Sequence, residues 1–596
     1  GPLAPLERAN LAPVKRAPIT VEPVEREAAA APLNANASCH EDLAEKHLPL
    51  RKRAAAGVRD APWAATVPTP FTCVKGRSQM EASSASRVTE FVAVLRDEEA
   101  APAQSLRALV ELRRALSVQA FPPIQEVLDA GGLEPLLAHL GSDNATLQLE
   151  AAWALTNIAS GSTAQTAALL EGGAAQRLFD ALISPGSTQR PDLCEQCLWA
   201  LGNIAGDAGD PGMRDELLSA GIVSALGRIY QRMPYLDWNL NDRTQVLRTL
   251  TWVMSSLCRG RPSPVLEEVE CCFDYFAQVV LGTEDASMLS EALWGICYLL
   301  EGTDGDEQGA ALRPEPDVRA EKLLVAGFAP GEVPQPPAAH PLLLKVLRCT
   351  RRAGEQRNPL PVPSLRLLGL LACTSAPEFT DVVVAAGALP ALRDTLLDSH
   401  APLTVRRDAA LAISNIAAGT SAQADRLLEE PGLWESLCEM MERGPALKVR
   451  RECAWAVTNL VKQGPSALWR MEGQCQKVLG LVTCALRGES DTTLQQALLE
   501  AAEIVLVRGD EQATAKGISE NQLVTASGEF GLFEELEELQ HSHCEGVSGA
   551  ALYLLEGWFE AQADRENDPP PEDKNITASA ICGGSPIRPA AYKFGA

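Results

Sequence analysis

The sequence predicts an all-α protein built from stacked helical repeats, with an extended segment at each end. From about Val88 to about Ala563, apolar residues recur at positions i, i+3, i+4 and i+7, and the short helical segments are separated by glycine. Tryptophan also recurs at a nearly constant distance, with steps of 46, 53 and 42 residues between Trp153, Trp199, Trp252 and Trp294. This spacing indicates one structural unit repeated along the chain.

Each unit contains a short helix, a second helix that follows an Ala-Gly pair, and a longer third helix that carries the tryptophan. A period of about 40 to 47 residues is typical of armadillo and HEAT solenoids, in which stacked units form a superhelix with one concave side. We therefore divide the chain into an Ala- and Pro-rich extension over residues 1–88, a solenoid over 89–562 and a Pro-rich tail over 563–596.

The composition narrows the possible functions. The 596 residues carry a formal net charge of −26, which disfavours nucleic acids and anionic membrane surfaces but attracts basic ligands. Sixteen cysteines follow no disulfide pattern, and many lie in apolar helical runs, so we expect reduced, buried thiols. No run of about 18 apolar residues suggests a membrane span.

No catalytic or cofactor motif stands out, so the sequence predicts neither an enzyme nor a cofactor. The segment "CEQC" has the C-x-x-C spacing of a zinc or redox site, but no second pair follows, so we interpret Cys194 and Cys197 as packing residues. The segment "HSHC", from His541 to Cys544, falls where a turn between helices is expected. No metal site is predicted.

The third helices repeat a Trp-x-x-x-Asn pattern, as in "EAAWALTNIASG", "EQCLWALGNIAGD" and "RECAWAVTNLVKQG". Residues i and i+4 share one helix face. If that face lines the concave side, stacked indoles can hold the aliphatic stems of Lys or Arg, with cation–π attraction added. Each Asn amide can then donate to, and accept from, the backbone of an extended peptide. The alternative is that these residues only pack repeats together.

On these residues, the stretch from about 88 to 562 resembles importin α, the adaptor that binds basic nuclear-localisation signals. "PPIQEVLDAGGLEPLLAHL", "LEAAWALTNIASGSTAQT" and "TWVMSSLCRGRPSP" are similar to successive repeats of that family. The resemblance implies an armadillo fold of about ten repeats in a right-handed superhelix. It also implies a groove that binds basic linear peptides.

The resemblance implies two peptide sites. The major site would use Trp153, Asn157, Gln196, Trp199, Asn203, Asp207 and Trp252. The minor site would use Arg366, Asn415, Glu452, Trp455 and Asn459, and the residues between the two sites would be Trp294, Tyr298 and Glu301.

The chain departs from the family pattern at several positions. Ser256 and Leu370 stand where the family has Asn, Leu411 stands in place of Trp, and Lys462 places a cation near the minor site. These departures weaken the minor site and one end of the major site. Residues 313–340, an enlarged segment between two repeats, are predicted as a loop with a short helix.

The family's long basic N-terminal helix, which recruits importin β and occupies the groove, has no counterpart here. Only short basic clusters at Lys15 and Arg51 remain, and either could occupy the groove in cis. More often such clusters are solvated loop charges. The resemblance therefore does not predict the usual binding of importin β.

Two functional hypotheses follow. The first is a peptide-binding adaptor similar to importin α, present in cytoplasm and nucleus. The second is a structural scaffold subunit of a large assembly, for example in the mitochondrion, built on a solenoid that no longer carries cargo.

Overall fold

The computed structural model describes residues 77–560, apart from 119–121, 185–188, 208, 302–315, 327–339, 352–357, 375, 471–472 and 519. Within these residues every regular element is a helix and no strand occurs. The all-α prediction is confirmed. The basic clusters at Lys15 and Arg51, and the predicted tail over 563–596, lie outside the described residues.

The chain divides into two compact units, Gly1–Gly488 and Glu489–Ala596. The sequence did not predict this division, and we describe each unit separately. The first described helix begins at Arg77, within the segment predicted as an extension.

The first unit consists of helices in groups of three. They are α1 (Arg77–Arg96), α2 (Pro102–Leu116), α3 (Ile124–Asp129), α4 (Leu133–Leu140), α5 (Ala145–Ala159), α6 (Thr163–Glu171), α7 (Ala174–Ile183), α8 (Pro191–Ala205), α9 (Pro211–Ser219), α10 (Ile222–Arg232), α11 (Leu240–Cys258), α12 (Leu266–Val269), α13 (Cys271–Gly282), α14 (Ala286–Leu300), α15 (Pro316–Ala326), α16 (Pro341–Thr350), α17 (Pro361–Ala372), α18 (Pro377–Ala385), α19 (Ala388–Leu397), α20 (Leu403–Ala417), α21 (Ser421–Glu429), α22 (Leu433–Arg443), α23 (Leu447–Gln463), α24 (Ser466–Arg470) and α25 (Gln474–Leu486).

Seven complete three-helix repeats, from α3–α5 to α21–α23, are present in the described part of this unit. In each repeat the third helix packs against the second helix. Each third helix also packs against the third helix of the next repeat, which gives a continuous row of α2, α5, α8, α11, α14, α17, α20 and α23. The predicted repeat architecture is confirmed.

Local sequence explains where the helices begin. The Ala-Gly pairs noted above place Gly221 and Gly387 at the start of second helices, with φ of 80° and 89°. This left-handed conformation is costly for residues with a Cβ, so glycine suits the turn. Some third helices begin with a side-chain cap: at the start of α5, Asn144 Oδ1 accepts a hydrogen bond from Thr146 N at 3.0 Å.

Small residues allow the third helices to approach one another. Ala151, Ala152 and Ala154 on α5 have no exposed surface, and Leu155 is equally buried. The core therefore lies along both sides of the row of third helices. The side chains that do not pack into this core lie on the remaining face of the row.

The enlarged segment over residues 313–340 contains α15, which confirms the predicted short helix. Its flanking residues 302–315 and 327–339 lie outside the described part. Among the described helices, none combines the length and apolarity needed to cross a membrane.

The second unit contains α26 (Thr492–Lys516), α27 (Gln522–Phe530), α28 (Leu532–Leu539) and α29 (Glu545–Leu554), followed by a π-helical segment, Leu555–Glu560. Helix α26 packs against α27 and α29, and α28 packs against both of its neighbours. Phe533 and Phe559 meet edge to face at 5.5 Å between ring centroids. The "HSHC" segment forms the predicted turn between α28 and α29.

Candidate functional site

The Trp-x-x-x-Asn residues lie on consecutive members of the row of third helices. Helix α5 carries Trp153 and Asn157, and α8 carries Trp199 and Asn203. Further along, the predicted residues occur on α11, α14, α17, α20 and α23. The fold thus arranges the predicted major-site residues in one series, repeat by repeat, and the minor-site residues in another.

Each major-site asparagine donates a hydrogen bond to the preceding third helix. Asn157 Nδ2 lies 3.0 Å from Ser117 Oγ, just after α2. Asn203 Nδ2 lies 3.3 Å from the Thr156 carbonyl oxygen on α5. The amide NH₂ group therefore links neighbouring repeats.

The minor-site asparagines repeat this geometry. Asn415 Nδ2 donates to the Gly369 carbonyl oxygen at 2.8 Å, and Asn459 Nδ2 donates to the Ser414 carbonyl oxygen at 3.1 Å. At least one N–H of each amide is already used within the fold. Because an amide NH₂ group has two donors, each asparagine can offer a ligand its oxygen and at most one N–H.

Three amide oxygens of the major site are buried and have no hydrogen-bond partner in the described part of the chain: Asn157 Oδ1, Gln196 Oε1 and Asn203 Oδ1. Asn157 and Asn203 have no exposed surface, and Gln196 is 6% exposed. An unsatisfied buried acceptor costs about 1–3 kcal/mol. These oxygens are therefore suited to an N–H donor from outside the fold, and such a donor reaches them only when they are uncovered.

The first tryptophan of the series faces a cation from the chain itself. The Arg113 guanidinium carbon lies 4.3 Å from the centroid of the Trp153 ring. Arg113 Nε also bonds Glu150 Oε2 at 2.6 Å. An arginine over an indole face is the cation–π arrangement predicted for a bound peptide. Sequence reasoning missed Arg113, although it lies one repeat before Trp153.

The next tryptophans are packed more closely. Trp199 is only 7% exposed. The ring of Trp252, on α11, lies directly over Gly202 on α8, where a Cβ would come within 2.3 Å of the Trp252 Cζ3 atom. Gly202 thus makes room for the ring. The predicted Asp207, just after α8, accepts hydrogen bonds from Thr163 Oγ1 at 2.8 Å and Gly209 N at 2.9 Å.

The residues between the two sites form a stacked pair and an ion pair. The Trp294 and Tyr298 rings stack with centroids 5.9 Å apart and planes 21° apart. Burial raises the pKa of Tyr298 to about 12, so its phenol is neutral at physiological pH. Glu301 Oε1 lies 3.1 Å from Arg366 Nη2. Arg366, predicted as a peptide residue, is therefore already bound to an acid of the preceding third helix.

The minor site holds further buried charge. Arg407 Nη2 bonds Asp408 Oδ1 at 2.7 Å, and burial raises the pKa of Asp408 despite this guanidinium. Burial likewise raises the pKa of Glu452. Arg366 and Arg407 are both near enough to lower that pKa in part. The acids of this region thus have cationic neighbours within the chain, whereas the major-site amide oxygens have no hydrogen-bond donor in the described part of the chain.

The departures predicted from sequence occupy the expected elements. Ser256 is buried on α11, Leu370 and Leu411 are half-buried on α17 and α20, and Lys462 is exposed on α23. Cys194 and Cys197 are buried in α8, and burial raises the pKa of Cys197 to about 12. Within the described residues, no group of His, Cys, Asp and Glu could hold a metal ion.

Comparison with known proteins identifies the repeat. The model of the Armadillo/beta-catenin-like repeat matches residues 121–160 and 376–418. These segments include α3–α5 and α18–α20, two of the three-helix repeats described above. These two segments are therefore similar to armadillo repeats.

Curated relatives are importin α subunits. Importin subunit alpha-1b of Oryza sativa subsp. japonica is 38% identical over 203 residues, 34% of this chain and 35% of the relative. Importin subunit alpha-9 of Arabidopsis thaliana is 29% identical over 378 residues, 61% of this chain and 63% of the relative. The matched region spans about a third of the length of the first relative.

A solved structure shows the same fold. An engineered protein, known from its crystal structure, aligns with 79% of this chain and 98% of its own, with a TM-score of 0.61 and 20% identity. At this identity the likeness concerns the fold alone. The chain thus has the fold of an all-α solenoid with armadillo repeats, and part of it is similar in sequence to importin α subunits.

Proposed function

We propose that this protein is a non-enzymatic adaptor that binds extended Lys/Arg-rich peptides along its row of third helices. The observation that carries the proposal is the set of three buried amide oxygens without donors on α5 and α8. They lie on the same helices as Trp153 and Trp199, about one turn away. A peptide backbone supplies N–H donors, and its basic side chains supply the stems and cations that indoles bind.

The net charge of −26 supports a cationic partner, because it raises the local concentration of basic segments and speeds their association. The relatedness to importin α subunits supports the same class of partner and a nucleocytoplasmic location. No observation here favours the mitochondrial alternative.

The major site contributes most of the affinity in this proposal. Its tryptophans and asparagines are uninterrupted over α5 and α8, whereas the minor site lacks the side chains replaced by Leu370 and Leu411. Glu301 is also paired with Arg366, so its carboxylate is less available to a basic ligand. Binding at the major site includes an uncovering step, because Asn157 and Asn203 are not exposed.

The test is a titration of a labelled peptide of six consecutive Lys and Arg residues, followed by fluorescence anisotropy. The Trp199→Leu variant should lose at least tenfold in affinity, since a leucine supplies no cation–π attraction. Trp434→Leu is the matched control, because Trp434 lies on α22, outside the row, and bonds Gln474. Equal affinity of wild type and Trp199→Leu would reject the proposal.

The second candidate function is a structural scaffold. It is favoured by the amide nitrogens that already link neighbouring repeats and by Arg113, which already occupies one face of Trp153. The same titration separates the two: a scaffold shows no saturable binding of the basic peptide, whereas an adaptor does.

A further inference from the structure

A small apolar cavity lies in the first unit, on helices α7, α8 and α10. It has a volume of about 120 Å³ and opens between the C-terminal ends of α7 and α10 and the start of α8. Its apolar walls are formed by Leu182, Ile183, Ala225, Ile229, Leu236 and Trp238.

The cavity has a closed inner wall and an open rim. Ala225 and Trp238 are buried, with 1% and 6% exposure, whereas Ile183 is 41% exposed. An apolar cavity of roughly 150 Å³ is known to hold benzene in another protein. This cavity therefore suits one large apolar side chain, such as Leu or Phe, that enters past Ile183.

Two arginines line the same cavity. Arg228 and Arg232 lie one turn apart on α10, so they project from one face of the helix. Both are exposed, and neither forms a hydrogen bond or ion pair with any residue of the described ranges. By contrast, Arg190 near the start of α8 is paired with Asp192.

We propose that this cavity and its two arginines form a docking site for an acidic linear peptide that carries one large apolar anchor. The anchor fills the cavity, and carboxylates on either side of it accept charge-assisted hydrogen bonds from Arg228 and Arg232. Tyr235, next in sequence to the lining residue Leu236, is 83% exposed.

This site selects an acidic ligand, whereas the ligand proposed for the Trp and Asn series is basic. The two guanidinium groups repel the Lys/Arg-rich peptides proposed above and attract segments that the chain's net charge of −26 otherwise repels. The protein would thus bind an acidic partner and a basic peptide through two different sets of residues of the first unit.

The experiment measures binding of a fluorescein-labelled peptide, Glu-Glu-Leu-Phe-Glu-Glu, to the full chain at 150 mM salt by fluorescence anisotropy. The double variant Arg228→Glu with Arg232→Glu reverses both charges at exposed positions, so folding should be retained. The matched control is Arg348→Glu with Arg351→Glu, which makes the same change at the end of α16, outside the cavity lining.

We expect saturable binding to wild type and to the control, and at least a tenfold loss in the Arg228/Arg232 variant. Ile183→Ser, which removes part of the rim without changing charge, should weaken binding about threefold or more. A peptide with Gly-Gly in place of Leu-Phe should not bind. No saturable binding to wild type, equal binding of the Gly-Gly peptide, or equal weakening by the control would each overturn the proposal.

The proposal does not depend on the adaptor function. Excess unlabelled Lys/Arg-rich peptide should leave binding of the acidic peptide unchanged, and Trp199→Leu should do the same. Displacement of the acidic peptide by the basic one would contradict separate sites.

Discussion

Replacement of Asn203 by leucine separates binding from folding. The amide of Asn203 makes one neutral hydrogen bond, at 3.3 Å to the Thr156 carbonyl oxygen, and leaves its own oxygen buried without a partner. Loss of a neutral hydrogen bond costs about 0.5–1.5 kcal/mol, whereas removal of an unsatisfied buried acceptor recovers about 1–3 kcal/mol. Leucine has nearly the same shape as asparagine, so no large cavity forms. We therefore expect the free energy of unfolding to fall by less than about 1 kcal/mol, or to rise.

The chain provides its own precedent, because Leu370 stands at the equivalent position on α17. The assay is urea denaturation followed by circular dichroism, paired with anisotropy of the labelled Lys/Arg peptide. Peptide affinity should fall at least tenfold, since the oxygen that accepts from the peptide backbone is lost. Asn203→Leu with unchanged peptide affinity and a loss of more than about 2 kcal/mol in stability would refute this reasoning.

Three further predictions concern stability. Gly295→Ala should lower the free energy of unfolding by about 1–2 kcal/mol, because the new Cβ would lie 2.3 Å from Phe276 Cζ. Gly369→Ala, whose Cβ would meet only ordinary contacts from 3.6 Å, should raise the free energy of unfolding by up to about 1 kcal/mol. Urea denaturation measures both changes. Asn144→Ala should lower the free energy of unfolding by about 0.5–2 kcal/mol through loss of the α5 cap, with no change in peptide affinity; an unchanged melting temperature would contradict this. Burial raises the pKa of Asp408 in the folded state, so the folded protein binds a proton at a higher pH than the unfolded chain does. Wild type should therefore gain stability relative to Asp408→Asn as the pH falls from neutrality through that raised pKa. A difference in melting temperature that changes with pH in the opposite direction, or not at all, would exclude this linkage.

The repeat architecture was predictable because its signals are local and periodic. The spacing of Trp153, Trp199 and Trp252 marked the third helices, and the Ala-Gly pairs marked the turns before second helices such as the one that follows Gly221. Because each repeat needs the same turn and the same packing, similar residues recur at the same positions of successive repeats. The division at residue 488 left no comparable signal, since helical periodicity continues across it.

The site was only partly predictable, because its chemistry depends on contacts between repeats. Sequence placed Asn157 and Asn203 on one face with their tryptophans, and the structure arranges them in one series. It did not reveal that each amide nitrogen donates to the preceding third helix, because that contact depends on the distance between two helices. The cation over Trp153 was missed for the same reason: Arg113 belongs to α2, before the first complete repeat.

The shared geometry of the asparagines explains why their loss need not disturb the solenoid. Where an asparagine is present, its nitrogen links two third helices and its oxygen remains for a donor. At Leu370 both functions are absent, yet α17 still packs between α14 and α20. The solenoid therefore tolerates the absence of this link at one position, whereas the oxygens of Asn157 and Asn203 stay buried without a partner in the described part of the chain. An amide held by its nitrogen keeps its oxygen in a fixed direction, so in the proposed adaptor the oxygen is a preorganised acceptor once it has been uncovered.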